Sequence, residues 1–348
     1  MSPGDPIRIA VFGAGHWGPN LIRNFDNPPA SIVKRIVDRD AARLQQVRAR
    51  FPGAAVSQDA ADTFADPAID AVVIATPTSS HHALCKAALE AGKHVLVEKP
   101  ITTQGDAADE LAALAQRRRR VLMVGHVFIF NLAVQRVRAY LEAGDLGRLY
   151  YVSMVRTNLG PIRADVNAAW DLMSHDISIA NYWLGAEPEA ASAVGGTWIN
   201  AGREDTVFAT LRYPGGVLVN VHASWLNPRK SRDVTVAGDK RMLTFDDMDI
   251  MEPLRIYDKR VSDRATTTEV VDTFASFRAS IREGDITIPK VSTGEPLRNE
   301  CEHFLDCIRT GQRPLVGGAE GAAVVRALEA IDRSMRDHGR EQAVRRSS

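Results

Sequence analysis

Three groups of residues in this chain have the types and spacing that chemistry needs. The first is Gly13-Ala-Gly15-His16-Trp17-Gly18, a G-x-G-x-x-G run that follows the apolar stretch IRIAVF and opens a helix-like one. In that context Gly13 permits a tight turn and Gly15 lets the backbone approach a pyrophosphate. Gly18 lets the helix pack close to the strand. A helix N-terminus there offers N–H groups and a positive dipole end to phosphates, with His16 and Trp17 in the same loop. Asp38 closes the second apolar run (SIVKRIV). An acidic side chain at that place accepts hydrogen bonds from ribose hydroxyls and repels a 2′-phosphate, which favours NAD over NADP. Arg39 follows and could pair with such a phosphate, and Asp38 could equally begin the Asp38-Arg-Asp40 loop.

The second group is Glu98-Lys99-Pro100, at the end of the run HVLVE. Ligands of open α/β sheets bind outside the carboxyl ends of strands, so a Lys there could hydrogen-bond a reacting hydroxyl. An ordinary surface Lys fits as well. The third is Asp171 and His175, four apart and so on one face of a helix. A His can take a hydroxyl proton near neutral pH and a carboxylate can orient it, although two structural residues would show the same spacing. Cys301, His303 and Cys307 share one apolar helix without zinc spacing and read as core, so no metal site is expected. With Cys85 the cysteine count is odd and sparse, which argues against a disulfide framework and fits a reducing cytoplasm.

These residues need elements to hold them. Up to residue 125, strand-like runs (Ile7–Phe12, Ser31–Val37, Ala71–Ala75, His94–Val97, Val121–Val124) alternate with helical stretches (Gly18–Phe25, Ala41–Phe51, His81–Ala91, Gln104–Arg119). The bare apolar AVVIA is what a strand covered on both faces looks like. This pattern predicts a doubly wound parallel sheet. After residue 125 the texture changes. One helix, Leu132–Ala143, leads to strand-like Leu149–Arg156, Ala190–Thr197, Thr206–Tyr213, Val217–Ser224 and Ser231–Ala237. A helix reading WDLMSHDISIANYWLG sits between the first two, and Tyr213-Pro-Gly-Gly216 signals an antiparallel hairpin. The fold class is therefore α/β: a dinucleotide-binding domain over 1–125, then an α+β domain over 126–348 with an open, mainly antiparallel sheet. The terminal helices Leu297–Ile308 and Gly318–Asp337 could pack back on the first domain.

Composition bounds the partners. The chain has 348 residues, 45% hydrophobic and 25% charged, enough to bury a core in about two domains. Lys+Arg and Asp+Glu number 43 each, so the formal net charge is zero. No global basic excess argues for nucleic acid or an anionic membrane, although a local basic pocket is compatible with neutrality. The Arg117–Arg120 run reads as a solvated helix end. No basic segment followed by a long apolar run opens the chain, and no apolar stretch reaches about 18 residues, so neither a leader nor a membrane helix is expected.

The order of the motifs carries more than any one of them. G-x-G-x-x-G is followed by T-P-T-x-x-H (Thr76 to His81), AGKHVLVEKP (Ala91 to Pro100) and D-x-x-x-H, and this order resembles the Gfo/Idh/MocA oxidoreductase family. LEAGDLGRLYYV and the tail HFLDCIRTGQRPLVGGAEGAAVVRALEA extend the resemblance through nearly the whole chain. It implies a Rossmann domain and a C-terminal domain whose open sheet forms a homodimer or homotetramer. It also implies that Lys99 is the family's active-site Lys, with Glu98 beside the cofactor and a cis Lys99-Pro100 bond. Asp171 and His175 match the family's Asp and His. Thr76, Pro77 and His81 would line the cofactor cleft; His82 would lie on the surface, and His126 could reach the cleft. The implied chemistry is hydride transfer between a sugar carbinol and the nicotinamide of NAD. The hydroxyl proton goes to His175 or Lys99, and Asp171 orients His175 or binds a neighbouring hydroxyl.

GHWGPNLIRNF together with RTNLGPIRADVNAAWDLMSHDISI is similar to members that act on nucleotide-linked sugars, typically at C3, giving or consuming a keto sugar. This chain has Asn131-Leu132 where Asn-Pro is usual, and Met173-Ser174 where Ala-Pro usually precedes the His. Arg156 and Arg163 flank Asn158-Leu-Gly160 and could bind a diphosphate or uronate, as could the Arg229-Lys230-Ser-Arg232 stretch. Two other readings compete: a cyclitol or free-sugar dehydrogenase of inositol-dehydrogenase type, and a non-catalytic NAD-sensing regulator on the same fold.

Overall fold

The computed structural model describes residues 5–163, 165–199, 201–261, 281–282 and 284–345. Two compact units emerge. One runs to Asn131 and takes in Gly294–Arg326; the other comprises Leu132–Thr293 and Ala327–Arg345.

The first unit is built on a six-stranded parallel sheet. Its strands are β1 (Ile7–Phe12), β2 (Ser31–Val37), β3 (Ala55–Ser57), β4 (Ala71–Ile74), β5 (His94–Glu98) and β6 (Leu122–Gly125). Their order is β3-β2-β1-β4-β5-β6. All four residues of β4 are buried, and in β1 only Arg8 escapes full burial. Such strands need helices on both faces, which α1 (Gly18–Phe25), α2 (Ala41–Arg50), α4 (His81–Glu90) and α5 (Gly105–Arg118) are spaced to supply. The edge strand β3 and the short helix α3 (Ala61–Ala65) add to the pattern read from sequence; three and five residues are too few for a period to register. Helix α8 (Pro296–Thr310) belongs to this unit, with Phe304 edge-on to Phe25 at 6.1 Å between ring centroids. Burying two such rings contributes about 1.5–3 kcal/mol each.

The second unit opens with α6 (Leu132–Glu142) and carries a nine-stranded sheet. Its core strands are β7 (Leu149–Leu159), β8 (Ala190–Gly196), β9 (Thr206–Arg212), β10 (Leu218–Ser224) and β11 (Leu226–Gly238). Among the described residues only the β7–β10 pair is parallel, and the other pairs of this sheet are antiparallel. Met242–Asp246 and Leu254–Tyr257 extend the sheet beyond the strands read from sequence. Along β9 and β10 burial alternates, so Val207, Ala209, Leu211, Val219, Val221 and Ala223 face the core while Phe208 and Leu218 are exposed. That alternation marks a sheet packed on one face only. No helix among the described residues is long and apolar enough to cross a membrane.

The stretch WDLMSHDISIANYWLG is not one regular helix. Ala169–Met173 forms a π-helical turn, which passes into α7 (Ser174–Leu184). The turn is pinned at its start, where Asn167 Oδ1 accepts from the Trp170 amide at 3.1 Å and the Trp170 indole donates to Asp332 at 2.7 Å. Single π turns inside helices recur at functional sites, and this one carries Asp171.

Arg156 corrects an expectation. Instead of facing a ligand it is 6% exposed, and its guanidinium makes three bonds of 2.8–3.0 Å to Asp176. Its charge is spent inside the unit. Breaking one side of a buried ion pair leaves an uncompensated charge, a cost of about 3–5 kcal/mol. Asp176→Ala should therefore lower stability by about that much, read as a shift in the urea midpoint. A loss below about 1 kcal/mol, the worth of a surface pair, would show the pair to be solvated.

Candidate active site

The glycine loop shows why its residues are glycines. Gly13 has φ +98°, and a Cβ there would lie 2.5 Å from the Ala75 carbonyl oxygen. A Cβ on Gly18 would lie 1.9 Å from the Gly13 carbonyl oxygen. Gly15 is different: a Cβ would meet only the Arg43 guanidinium, at 3.6 Å. The crowded glycines shape the turn and the open one leaves room for a ligand, as a pyrophosphate requires. Helix α1 starts here with no side-chain cap and no acidic residue in its first turn, so its positive end is unmasked. His16 and Trp17 are exposed in the loop. The order of the sheet reverses at this point, between β1 and β4, where ligands of such sheets sit.

Asp38 follows β2 and binds the loop from its side. Its Oδ2 accepts from the Ala14 amide at 2.7 Å and its Oδ1 from the Asp40 amide at 2.9 Å. A carboxylate has about four lone-pair sites, so two remain for ribose hydroxyls. Arg39 is exposed beside it. Arg43, which sequence reasoning passed over, stands over Gly15 with its Nε 3.4 Å from Asp40. The residues present thus fit a dinucleotide: a cradle that a Cβ would fill, an uncapped helix start and an acceptor at the ribose position.

Thr76 is half-buried and Pro77 exposed at the end of β4. His81 does not line a cleft. It is 1% exposed, with Nδ1 2.9 Å from the Pro100 carbonyl and Nε2 2.8 Å from the Thr76 carbonyl. Burial pushes its pKa down, and a neutral ring has one N–H, so it donates to one of these two carbonyls. His82 pairs with Glu110 at 2.9 Å on the surface.

Glu98 and Lys99 end β5, and the Lys99-Pro100 peptide is cis. The Glu98 carboxyl packs on Gly125 of the neighbouring strand, where a Cβ would come within 3.2 Å of it. It receives the Trp17 indole N–H and the Lys99 amide. Burial raises its pKa, against the pull of Lys99. His126 is buried, and burial with the nearby Lys99 charge pushes its pKa down to about 3, so it stays neutral.

In the second unit, Asp171 lies in the π turn and His175 in the first turn of α7, both half-buried. Asp171 is held by two residues from other segments. Arg163 Nη1 donates to Oδ1 at 3.2 Å, and the fully buried Trp225 donates its indole N–H to Oδ2 at 3.2 Å. Trp225 went unnoticed in the sequence; its only signal is a lone Trp between two strand-like runs. Arg163 also chelates Asp165, at 2.9 and 2.6 Å. Asn158 turns inward to the Gly160 carbonyl, 2.5 Å away. Arg232 is paired with Asp247 at 2.7 Å, while Arg229 and Lys230 are exposed.

Comparison with known proteins agrees with this geometry. Residues 7–126 match a family model described as oxidoreductase family, NAD-binding Rossmann fold, and residues 134–244 match the GFO/IDH/MocA C-terminal domain. The chain is 29% identical over 323 residues to the UDP-N-acetylglucosamine 3-dehydrogenase of Acidithiobacillus ferrooxidans, covering 92% of this chain and 95% of that one. A solved structure of that enzyme superposes with a TM-score of 0.80 at 26% identity, covering 95% of this chain and 97% of that one. The scyllo-inositol 2-dehydrogenase (NAD(+)) of Bacillus subtilis is 26% identical over 323 residues, covering 89% of this chain and 88% of that one. The motifs, the fold of each unit and these likenesses agree: the chain belongs to the Gfo/Idh/MocA family and is an oxidoreductase with an NAD-binding Rossmann fold.

Proposed function

We propose that this protein is an NAD-dependent dehydrogenase of a nucleotide-linked sugar, oxidising it at C3 or reducing the 3-keto sugar. The observation that carries this reading is the end-to-end likeness to a UDP-N-acetylglucosamine 3-dehydrogenase, in sequence and in structure. The segments Gly15–Phe25 and Arg156–Ile179 support it. A cyclitol substrate is the second reading, favoured by the similarly long match to an inositol dehydrogenase.

Bound NAD supplies the hydride acceptor. The chain's own groups do the rest. The Gly13–Gly18 loop and the start of α1 hold the pyrophosphate, and Asp38 takes the ribose hydroxyls. Lys99 and His175 are the candidate acceptors of the hydroxyl proton. Arg163 and Trp225 fix the carboxylate of Asp171, which orients His175 or a substrate hydroxyl. Arg163 is the cation best suited to an anionic substrate, because its bond to the exposed Asp165 can be exchanged. The face carrying Tyr151, Phe208 and Leu218 is the surface through which two or four copies would associate. Three cysteines, all free and buried, suit a reducing, cytoplasmic setting.

Initial rates of NAD reduction with UDP-sugars, set against myo- and scyllo-inositol, test the substrate class. Turnover of a UDP-sugar is expected; a clear preference for an inositol would transfer the protein to the cyclitol reading. Lys99→Ala and His175→Ala should each lower kcat by about 10²–10⁴-fold, the worth of a positioned acid–base group. Wild-type turnover in both would show the proton-transfer set to be misassigned. Asp38→Asn should weaken NADH binding by about tenfold, matching a lost charged hydrogen bond of about 1.5 kcal/mol. A wild-type protein that binds NADPH more tightly than NADH in a fluorescence titration would reverse the cofactor preference.

A further inference from the structure

The least explained group in the first unit is Glu300, on α8. It is fully buried, and among the described residues neither carboxyl oxygen has a hydrogen-bond partner. The neighbouring contacts of α8 fix where it lies. Asn299 Nδ2 donates to the Phe130 carbonyl at 3.1 Å, and the His303 ring lies 5.3 Å from that of Phe130. Helix α8 therefore packs on the turn that follows β6, whose last residue, Gly125, carries the Glu98 carboxyl against its Cα. The charge of Glu98 also reaches Glu300, so an ionised Glu300 would be repelled by it. The titratable and charged groups that act on this pair are Lys99, beside Glu98, and Cys301, on the helix of Glu300; the Trp17 indole donates to Glu98, and the buried His126 feels the Lys99 charge.

An ionised carboxylate without a cation or donors is too costly to bury, and two side by side are worse. Burial lifts the Glu98 pKa to about 7, but its anion has partners: the Lys99 charge, the Trp17 N–H and the Lys99 amide. Glu300 has none of these, and burial together with the Glu98 charge drives its pKa well up. We propose that Glu300 is a positioning residue for Lys99: held as the neutral acid, it limits the buried pair to at most one negative charge, carried by Glu98 next to Lys99. Glu300 touches neither cofactor nor substrate and acts through Glu98. The inference rests on the reading of Lys99 as an active-site residue, but two of its tests use no substrate.

Urea unfolding at pH 5 to 8 compares wild type with Glu300→Gln, which keeps shape and neutrality. Wild type must take up a proton at Glu300 to fold once the unfolded chain has lost it, so its stability falls as pH rises above the ordinary glutamate range. The Gln variant has no such loss. The ratio of their unfolding constants should change about tenfold per pH unit in favour of Gln. A ratio flat across this range would mean that Glu300 is ionised in the fold and would overturn the proposal. Infrared difference spectra at pH 7 should show a protonated carboxyl band in wild type that Gln removes; its absence would do the same.

The positioning role is read in kinetics with the true substrate. Glu300→Ala frees the Glu98 carboxyl to move and should cut kcat about 10- to 100-fold with NADH affinity kept, while Gln recovers most of it. The pH-profile limb that Lys99→Ala abolishes should stay in place in Gln. If Gln is as impaired as Ala, or that limb moves to lower pH, then a charge at position 300 is what Lys99 feels, and the proposal fails. If no sugar or cyclitol is turned over, the functional reading fails while the unfolding and infrared results still decide the state of Glu300.

Discussion

The first unit turns on a place where no side chain fits. At the end of β1 the chain enters the left-handed region at Gly13, against the Ala75 carbonyl, and Gly18 closes on the Gly13 carbonyl. These two contacts set how near β4 and the start of α1 come to the strand. Because the sheet order reverses between β1 and β4, the crevice at their ends is where phosphates meet the helix dipole. The surrounding loops are laced to this point by side-chain-to-backbone bonds. Asp38 binds the Ala14 amide, and His81 lies between the Thr76 and Pro100 carbonyls, donating to one of them. The steric limit at two glycines thus reaches Lys99, one residue before Pro100.

In the second unit the governing quantity is charge already spent. The chain is neutral overall, and three of its candidate substrate cations are matched by carboxylates of its own. Arg156 is paired with Asp176, Arg232 with Asp247, and Arg163 with Asp165 and Asp171. Magnitude decides which of these a substrate phosphate could rearrange. An exposed pair is worth about 0–1 kcal/mol, whereas breaking a buried one costs about 3–5. Asp165 has a side chain 55% exposed and Asp176 one only 3% exposed. The Arg163–Asp165 pair is therefore cheap to break, and the Arg156–Asp176 pair is not.

Legibility in the sequence followed locality. The parallel sheet was readable because buried strands are short apolar runs and each helix ends in its own signals, as at Gly92. The glycine loop was readable because steric need and residue type coincide. The π turn under Asp171 has no local sign: WDLMSHDISIANYWLG has helical periodicity, and the slip appears only where Asn167 and Asp332 hold Trp170. Trp225 reaches Asp171 across a sequence separation of 54, and nothing in SWLNP announces it. Glu300 is hidden for a different reason. In LRNECEHFLDCIRT a Glu on the buried face looks the same as its exposed neighbour Glu302, because periodicity says which way a residue points only when residue type agrees with environment.

A residue of the right type in the right motif is a ligand only if it retains bonding capacity. Asp38 accepts two amides and keeps lone pairs. His81 is buried with a carbonyl beside each ring nitrogen, and Arg156 has three bonds to one carboxylate, so both brace the fold. The same count run in reverse singles out Glu300, which has full capacity and nothing to meet it. Burial without partners is tolerable for an acid only when it keeps its proton. A neutral acid set against a second acid leaves at most a single charge to hold in place, and in the proposed arrangement that charge belongs to Glu98, next to Lys99.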